Sequence, residues 1–292
     1  MNVGFLKFSG SLSSTITGKG SGFLGSTLYK ELQSYFDVYA TYHTQEGTYG
    51  DNQVYFPFKG ETDQIGSLLD QLRPRVIISC FKAESLARVK THERLSNYVS
   101  GHPDRRLLYL SSYKVFDGRL DYPAYENDYP YAESEEGKDH LAVERVLRLL
   151  PGDRYGILRL PPVYGLNSPR MIHLQQAIRY QATIEVFPKL VVNLTTADKV
   201  AQQVHYLINK GIYGIQHLGS TDLVHHEDLI SELVDRLDIG QPRLKRVFSR
   251  NEDHFLAVLP RHHTLPRPYR ITVQEVIQSS ALSEEIVSGR KG

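Results

Sequence analysis

The chain has 292 residues, 34 lysines and arginines against 33 aspartates and glutamates, and one cysteine, Cys80. That length can bury a sizeable core, and the near-even charge gives neither a nucleic-acid footprint nor a polybasic membrane surface. No apolar run approaches the roughly 18 residues that cross a bilayer, and the lone cysteine excludes a disulfide framework, so the expected setting is the reduced cytoplasm, with no membrane and no nucleic acid as partner.

The first stretch, Met1 to Ser9, carries Val3, Phe5, Leu6 and Phe8 and suits a strand. A small-residue loop follows, and Phe23, Leu24, Leu28, Leu32 and Phe36 mark the apolar stripe of a helix from about Gly22. The loop ends in Gly20-Ser21-Gly22-Phe23-Leu24-Gly25, a Gly-x-Gly-x-x-Gly pattern. Glycines so spaced permit a tight turn and the close approach of a pyrophosphate to a helix N-terminus, and a flexible linker is the competing reading. Two registers fit what precedes it. Either Ser9-Gly10 ends the strand and about nine residues are inserted before Gly22, or Thr17-Gly18 ends it and Leu12-Ser13-Ser14 make it polar. The insertion is preferred, because a central strand is apolar on both faces.

Strands are expected at Val38–Tyr42, at Val54–Phe58 and at Val76–Cys80, with helices at Ile65–Leu72 and Lys82–Tyr98. Leu107-Leu108-Tyr109-Leu110 then ends abruptly in Ser111, Ser112 and Lys114, as a strand buried on both faces would. In an open parallel sheet, ligands bind in the crevice at the carboxyl ends of the strands, which puts Ser112 and Lys114 at such an edge. A helix over Glu135–Leu150, a strand over Tyr155–Leu160 and Pro161-Pro162-Val163-Tyr164-Gly165 follow. Beyond them come a helix at Met171–Tyr180, an extended stretch at Ile184–Leu194 broken at Pro188, and a helix at Thr196–Lys210. A strand at Gly214–Leu218, an amphipathic Glu227–Leu237 and a last helix at Val273–Gln278 close the chain.

Strands alternating with helices imply an α/β fold, a Rossmann-like doubly wound parallel sheet with a smaller C-terminal substrate lobe. Residues 1–165 are expected to form the nucleotide-binding domain, with 197–220 returning to it, while 166–196 and 221–292 form the lobe. The histidine pairs His225-His226 and His262-His263 lack the spacing of a metal site, so no metal is expected.

Five stretches carry a family likeness: Gly22-Phe23-Leu24-Gly25; Ser111-Ser112-Tyr113-Lys114-Val115-Phe116-Asp117-Gly118; Pro123-Ala124-Tyr125-Glu126-Asn127-Asp128; Arg159 with Val163-Tyr164-Gly165; and Gly211-Ile212-Tyr213-Gly214 with His217-Leu218. On these the chain resembles the extended short-chain dehydrogenase/reductases, and among them dTDP-4-dehydrorhamnose reductase and its sugar-nucleotide-binding relatives. The resemblance implies NAD or NADP as cofactor, a nucleotide-sugar-like small molecule as ligand, oxidoreductase chemistry and room for a homodimer. In that family a serine or threonine orients the substrate carbonyl, a tyrosine transfers the proton, and a lysine lowers the tyrosine pKa and binds the cofactor ribose.

Ser112 matches the serine. In the gap-free register Glu136-Gly137-Lys138-Asp139-His140-Leu141-Ala142-Val143-Glu144 keeps Gly137, Leu141 and Glu144 but has glutamate for the tyrosine and histidine for the lysine. A second register, with a five-residue deletion, offers Tyr131 as the tyrosine and Glu135 where the lysine belongs. The catalytic candidates are therefore Ser112, Lys114, Tyr131, Glu136 and His140. Glu136 and His140, four apart, share a helix face and read either as a solvated pair or as an acid–base pair turned toward Ser112 and Lys114. The resemblance assigns the cofactor to Gly10, Lys19, Gly20, Gly22, Phe23, Leu24, Gly25, Cys80 and Phe81, and the substrate to Tyr125, Val163, Tyr164 and Arg267. No acidic residue or arginine ends the second strand to select a ribose, the first charge being Glu46. The alternative function is a non-catalytic sugar-nucleotide-binding or regulatory subunit, or a lyase or epimerase using Glu136 and His140.

Overall fold

The structure, a computed structural model, describes residues 3–7, 14–16, 23–42, 55–57, 62–81, 84–261 and 265–281. The chain begins with β1 (Val3–Lys7), β2 (Ser14–Ile16), α1 (Phe23–Leu32), β3 (Asp37–Tyr42), β4 (Tyr55–Pro57), α2 (Thr62–Leu72), β5 (Val76–Ser79), α3 (Ser85–Ser100) and β6 (Arg106–Ser112). A 3-10 turn at Tyr113–Phe116 leads on to α4 (Glu135–Leu147), β7 (Tyr155–Leu160), β8 (Val163–Tyr164), α5 (Pro169–Arg179), β9 (Thr183–Val186), β10 (Leu190–Val192) and β11 (Thr195–Thr196). The last part holds α6 (Ala197–Lys210), β12 (Gly214–His217), β13 (Val224–His225), α7 (His226–Leu237), β14 (Arg243–Arg246), β15 (His254–Phe255), a 3-10 turn at Arg267–Tyr269 and α8 (Val273–Ser280).

An eight-stranded sheet in the order β12-β7-β6-β5-β1-β3-β4, with β2 beside β1, forms the centre. Strands β5, β6, β7 and β12 are parallel to one another, as are β3 and β4. The fold is the Rossmann-like α/β architecture that the alternation of elements implies. One strand departs from it. β1 runs antiparallel to both β3 and β5. β2 pairs antiparallel with β1, with Gly4 opposite Ile16, and therefore runs in the same sense as β3 and β5. A strand that feeds a crossover helix and a parallel neighbour must run with that neighbour. It is thus β2, ending at Ile16, that has the direction to lead into α1, and the preferred register ending at Ser9-Gly10 gives way to the one ending near Thr17-Gly18. The objection that Leu12-Ser13-Ser14 would make a central strand polar loses weight, because β2 keeps only Ser14 of the three and among the described residues pairs on one side.

Alternation along β6 splits the core into two layers. Leu107 and Tyr109 pack with Ile65 and Leu69 of α2, Leu95 and Val99 of α3, and Val143 and Leu147 of α4. Leu108 and Leu110 face the other way, onto Leu28 and Leu32 of α1 and Val200, Val204 and Leu207 of α6. Helix ends are set by local chemistry: Ser134, Ser168 and Thr196 cap α4, α5 and α6, and Gly211, at φ 63°, closes α6 in the left-handed conformation that glycine takes without strain. A third cluster joins Met171 and Leu174 of α5, Leu229 and Leu233 of α7, and Val276 and Ile277 of α8 around Val192 and Leu194. The break expected at Pro188 separates β9 from β10, and each pairs elsewhere: β9 with β14, β10 with β13 and β15. No helix among the described residues is long and apolar enough to cross a membrane.

Candidate active site

β6 delivers two serines to opposite faces. Ser111 continues the Leu107–Tyr109 face and donates to Glu144 Oε1 at 2.7 Å. Ser112 lies on the other face, half-buried, and its Oγ accepts from the Lys114 amide at 3.3 Å, capping the 3-10 turn. The turn is pressed against the start of α4. A Cβ on Gly137 would overlap the Lys114 carbonyl oxygen, so the glycine at this position is what lets α4 approach the strand end.

Below this edge is a buried polar staple. Arg159 of β7 is fully buried and pairs with Glu144 of α4 through Nε–Oε1 at 3.0 Å and Nη2–Oε2 at 2.7 Å. The same guanidinium lies 4.8 Å from the Phe116 ring centre and 3.4 Å from His217 Nε2. Burial, then the Arg159 charge, push the His217 pKa down to about 3, so its ring is neutral, and Nδ1 is 3.1 Å from the Leu259 carbonyl. Segment 254–261 is fixed to the staple's surroundings at three more points: Ala124 bridges to Val258, Asn193 binds the Val258 amide and carbonyl, and Glu126 accepts from the Arg261 amide.

His140 belongs to this buried part and not to the crevice. It is 8 % exposed, and its Nδ1 sits 2.7 Å from Tyr109 Oη. Burial drives the Tyr109 pKa upward, so the phenol stays protonated and donates. Tyr109 stacks edge-on against His92, whose ring bonds the Arg88 carbonyl at 2.7 Å and the Ser79 hydroxyl at 2.8 Å, and burial holds the His92 pKa down to about 4. Glu136 goes the other way. Its Oε2 accepts from Lys114 Nζ at 2.5 Å, with side chains 45 % and 32 % exposed. Burial works against the Lys114 charge, and the Glu136 hydrogen bond and charge outweigh it, so the lysine pKa is raised. The expected Glu136–His140 acid–base pair is therefore split: one turn of helix separates a residue at the rim from one in the core. His140, being aromatic and less polar than lysine, can satisfy itself on a buried phenol.

Tyr131 stands outside this arrangement. Its ring covers Gly118, where any Cβ would strike it, and its carbonyl accepts from the Gly118 amide at 3.0 Å. Tyr125 lies under Arg261, with the guanidinium 5.2 Å from its ring. Arg267 is exposed in the 3-10 turn packed on α6, where Lys199 Nζ binds the neighbouring Pro268 carbonyl. Val163 and Tyr164 sit in β8, paired with Thr195 and Thr196 of β11, directly beyond β7. Phe23, Leu24 and Gly25 open α1, and the Phe23 ring lies against Gly165, whose φ of 138° suits only glycine. Cys80 and Phe81 follow β5, Phe81 buried and Cys80 half-buried. Gly10, Lys19, Gly20 and Gly22 lie outside the described residues.

Three residues at the edge escaped the sequence reading. Arg170, in the first turn of α5, is exposed and lies 5.9 Å from the Tyr164 ring centre. Tyr113 adjoins Ser112 and lies within electrostatic reach of Tyr164 and Lys114. His226 accepts from the Phe187 amide on Nδ1 at 3.3 Å, and burial, then Arg170, lower its pKa. The available signals were slight: Tyr113 lies between two residues already selected, and Arg170 follows the Ser168-Pro169 helix start. A cavity of about 360 Å³ opens at the opposite, amino edge of the sheet, between Arg75, Arg106, Asp153 and Tyr213. There Arg106 is already spent on the Pro103 and Arg105 carbonyls and on Asp153.

A Rossmann-like sheet, a serine ending β6 and a helix that approaches the turn after that serine through a glycine are the features that the likeness to extended short-chain dehydrogenase/reductases leads one to expect. The chain belongs to the RmlD substrate binding domain family, whose sequence pattern matches residues 15–261. That match starts inside β2, in agreement with the direction of the strand. Among curated proteins none matches in sequence. Among solved structures the chain is similar to dTDP-4-dehydrorhamnose reductase from Yersinia enterocolitica, at 17 % identity and a TM-score of 0.71 over 90 % of this chain and 96 % of that one. It is also similar to dTDP-4-dehydrorhamnose reductase from Bacillus anthracis in complex with NADP, at 16 % identity and 0.69 over 90 % and 96 %. UDP-glucose 4-epimerase from Thermotoga maritima with UDP-glucose gives 14 % and 0.71 over 94 % and 98 %. At these identities the likeness fixes the fold.

Proposed function

We propose that the chain binds a nucleotide sugar and NAD or NADP across the carboxyl edge of the sheet, and works there as an oxidoreductase with a rebuilt proton-transfer group. The observation that carries this reading is the Lys114–Glu136 ion pair beside Ser112, an acid–base pair standing where the family has its tyrosine. The dinucleotide, when bound, supplies the hydride chemistry. The start of α1 at Phe23, Leu24 and Gly25 suits its pyrophosphate by presenting the positive end of a helix dipole, and Cys80 and Phe81 wall the adjoining strand end. Ser112 orients a sugar carbonyl through its hydroxyl, and Glu136 holds or releases the proton at Oε2 while Lys114 Nζ balances its charge. The helices and small sheets around β10 form the lobe that covers the sugar. Relatives solved with NADP and with UDP-glucose support the choice of ligands. The single cysteine and balanced charge support a cytoplasmic setting.

The test is calorimetric titration with NADH, NADPH and dTDP- and UDP-sugars, followed by nicotinamide absorbance with a 4-keto sugar nucleotide. One dinucleotide and one nucleotide sugar are expected to bind, with turnover that falls at least about 100-fold in Glu136→Gln while binding persists. Failure of both dinucleotides to bind would sink the oxidoreductase reading. One observation favours a second reading, a binding subunit without turnover: the place of the family's lysine is held by His140, which is engaged with Tyr109. Tight nucleotide-sugar binding with no turnover under any condition would establish it.

A further inference from the structure

The carboxyl end of β5 is held from behind by a buried chain of hydrogen bonds. Ser79, the last residue of the strand, and His92 of α3 are both fully buried. His92 Nδ1 lies 2.7 Å from the Arg88 carbonyl, one turn earlier in the helix, and Nε2 lies 2.8 Å from Ser79 Oγ. A carbonyl only accepts, so the ring carries a proton on Nδ1. Burial keeps the ring neutral, which leaves Nε2 bare, an acceptor. The proton between Nε2 and Oγ is therefore the serine's, and Oγ in turn accepts from the Phe81 amide at 3.4 Å. The Phe81 side chain comes back to the same imidazole, with ring centres 6.2 Å apart. His92 thus meets the segment after β5 twice, through Ser79 to its backbone and through its ring to Phe81.

The segment so held stands at a particular place. The order of the central sheet reverses between β1 and β5, with β3 and β4 to one side and β6, β7 and β12 to the other. Ligands of open α/β sheets lie beyond the strand ends at such a reversal. We propose that His92 is a positioning residue for the dinucleotide: through Ser79 it sets the backbone of residues 79–81, against which the dinucleotide lies. The inference rests on the dinucleotide reading above. His92 and Ser79 act from inside the core, so their part is to order the wall before the ligand arrives. A wall already ordered spares binding the entropy of ordering it.

The experiment has two parts. Nitrogen-15 NMR of the unmodified chain, with the His92 signals assigned by their loss in His92→Gln, should place the ring proton on Nδ1. A proton on Nε2 overturns the inference, because Ser79 then has no acceptor in the ring. Calorimetry with NADH, NADPH and UDP-glucose follows, on the full chain and on Ser79→Ala, His92→Leu and His92→Gln. Ser79→Ala and His92→Leu should each weaken the dinucleotide roughly 10-fold, the worth of one buried hydrogen bond, and move UDP-glucose less than about 2-fold. In His92→Gln an amide oxygen in place of Nε2 accepts from Ser79, and most of the dinucleotide affinity should return. Should His92→Leu fail to fold, Ser79→Ala carries the comparison. Equal losses for both ligands, a dinucleotide affinity that none of the variants moves, or a glutamine no better than leucine reduces His92 to core filling. Each of these overturns the inference and leaves the dinucleotide reading standing. Failure of both dinucleotides to bind the unmodified chain overturns the inference together with the reading beneath it.

Discussion

The two ends of α4 meet the same strand and have different characters. At its middle and carboxyl side, Glu144 and His140 reach into the core, one onto Arg159 and Ser111, the other onto Tyr109, and every contact is dry. At its amino end, Glu136 meets Lys114 in partial solvent. The buried half keeps residue types the family likeness leads one to expect at Glu144 and Arg159 and absorbs His140, in the lysine's place, on a buried phenol, whereas the rim carries the substitution at the proton-transfer position, Glu136 for tyrosine. An ion pair in low dielectric is constrained from both sides, since removing either partner strands a charge. A rim pair is free to change, because water covers the cost. The scaffold and the chemistry of this edge are therefore separable, and the two halves should answer differently to substitution.

The sharpest break is expected at the staple. Arg159→Met or Glu144→Gln should cost about 3–5 kcal/mol by leaving a buried charge unpaired, seen as a lower urea midpoint at unchanged slope. The double substitution Arg159→Met/Glu144→Gln should recover part of that loss, which is the signature of a pair and not of two independent contacts. Acidification attacks the same half. Free histidine takes up a proton near pH 6.5, whereas His92 and His217 in the fold resist protonation down to about pH 4 and about pH 3. Between those values the unfolded chain binds more protons, so stability is fully present above about pH 6.5 and falls as pH drops through the window. For His92 the loss is roughly 3 kcal/mol. Urea midpoints at pH 7 and pH 4.5 should diverge less in His92→Gln than in the unmodified chain, and equal divergence would contradict the assignment. Gly137→Ala tests the seam between the halves. Its methyl would enter the Lys114 carbonyl, and a cost of about 1–3 kcal/mol is expected, measurable as a depressed melting temperature.

Most helices and parallel strands were legible because their signals are local. The run Leu107–Leu110 announced burial on both faces, and the stripe Phe23, Leu24, Leu28, Leu32 announced α1. Strand direction is not a local property: nothing in Val3–Lys7 says that it lies antiparallel between β3 and β5. Pairing of β9 with β14 joins Thr183 to Arg243 across sixty residues of chain and leaves no periodic trace. At the site, spacing placed Glu136 and His140 on one face of α4 correctly, but a helix face one turn long can straddle a boundary between core and solvent. The sequence cannot say on which side of Tyr109 that boundary falls. Arg170 and His226 arrive from α5 and α7, and the packing of those helices brings Arg170 within reach of Tyr164 and Lys114 and His226 within reach of Arg170.

The rim should be nearly silent in stability, and that silence is itself a test. Lys114→Met removes one member of a half-exposed pair, for which about 0–1 kcal/mol is expected. Salt should already have screened part of it, so the difference between the variant and the unmodified chain should shrink further at high ionic strength. If the buried and exposed halves were one cooperative network, the substitution would instead propagate to Ser112 and the staple, and the cost would approach that of Glu144→Gln. The discriminating measurement is a double-mutant cycle between Lys114→Met and Glu144→Gln: additive losses keep the halves independent, and a coupling above about 0.5 kcal/mol joins them. Additivity is the expected outcome. Lys114 meets α4 through Glu136 and through the close backbone at Gly137, and the backbone contact survives the change of side chain.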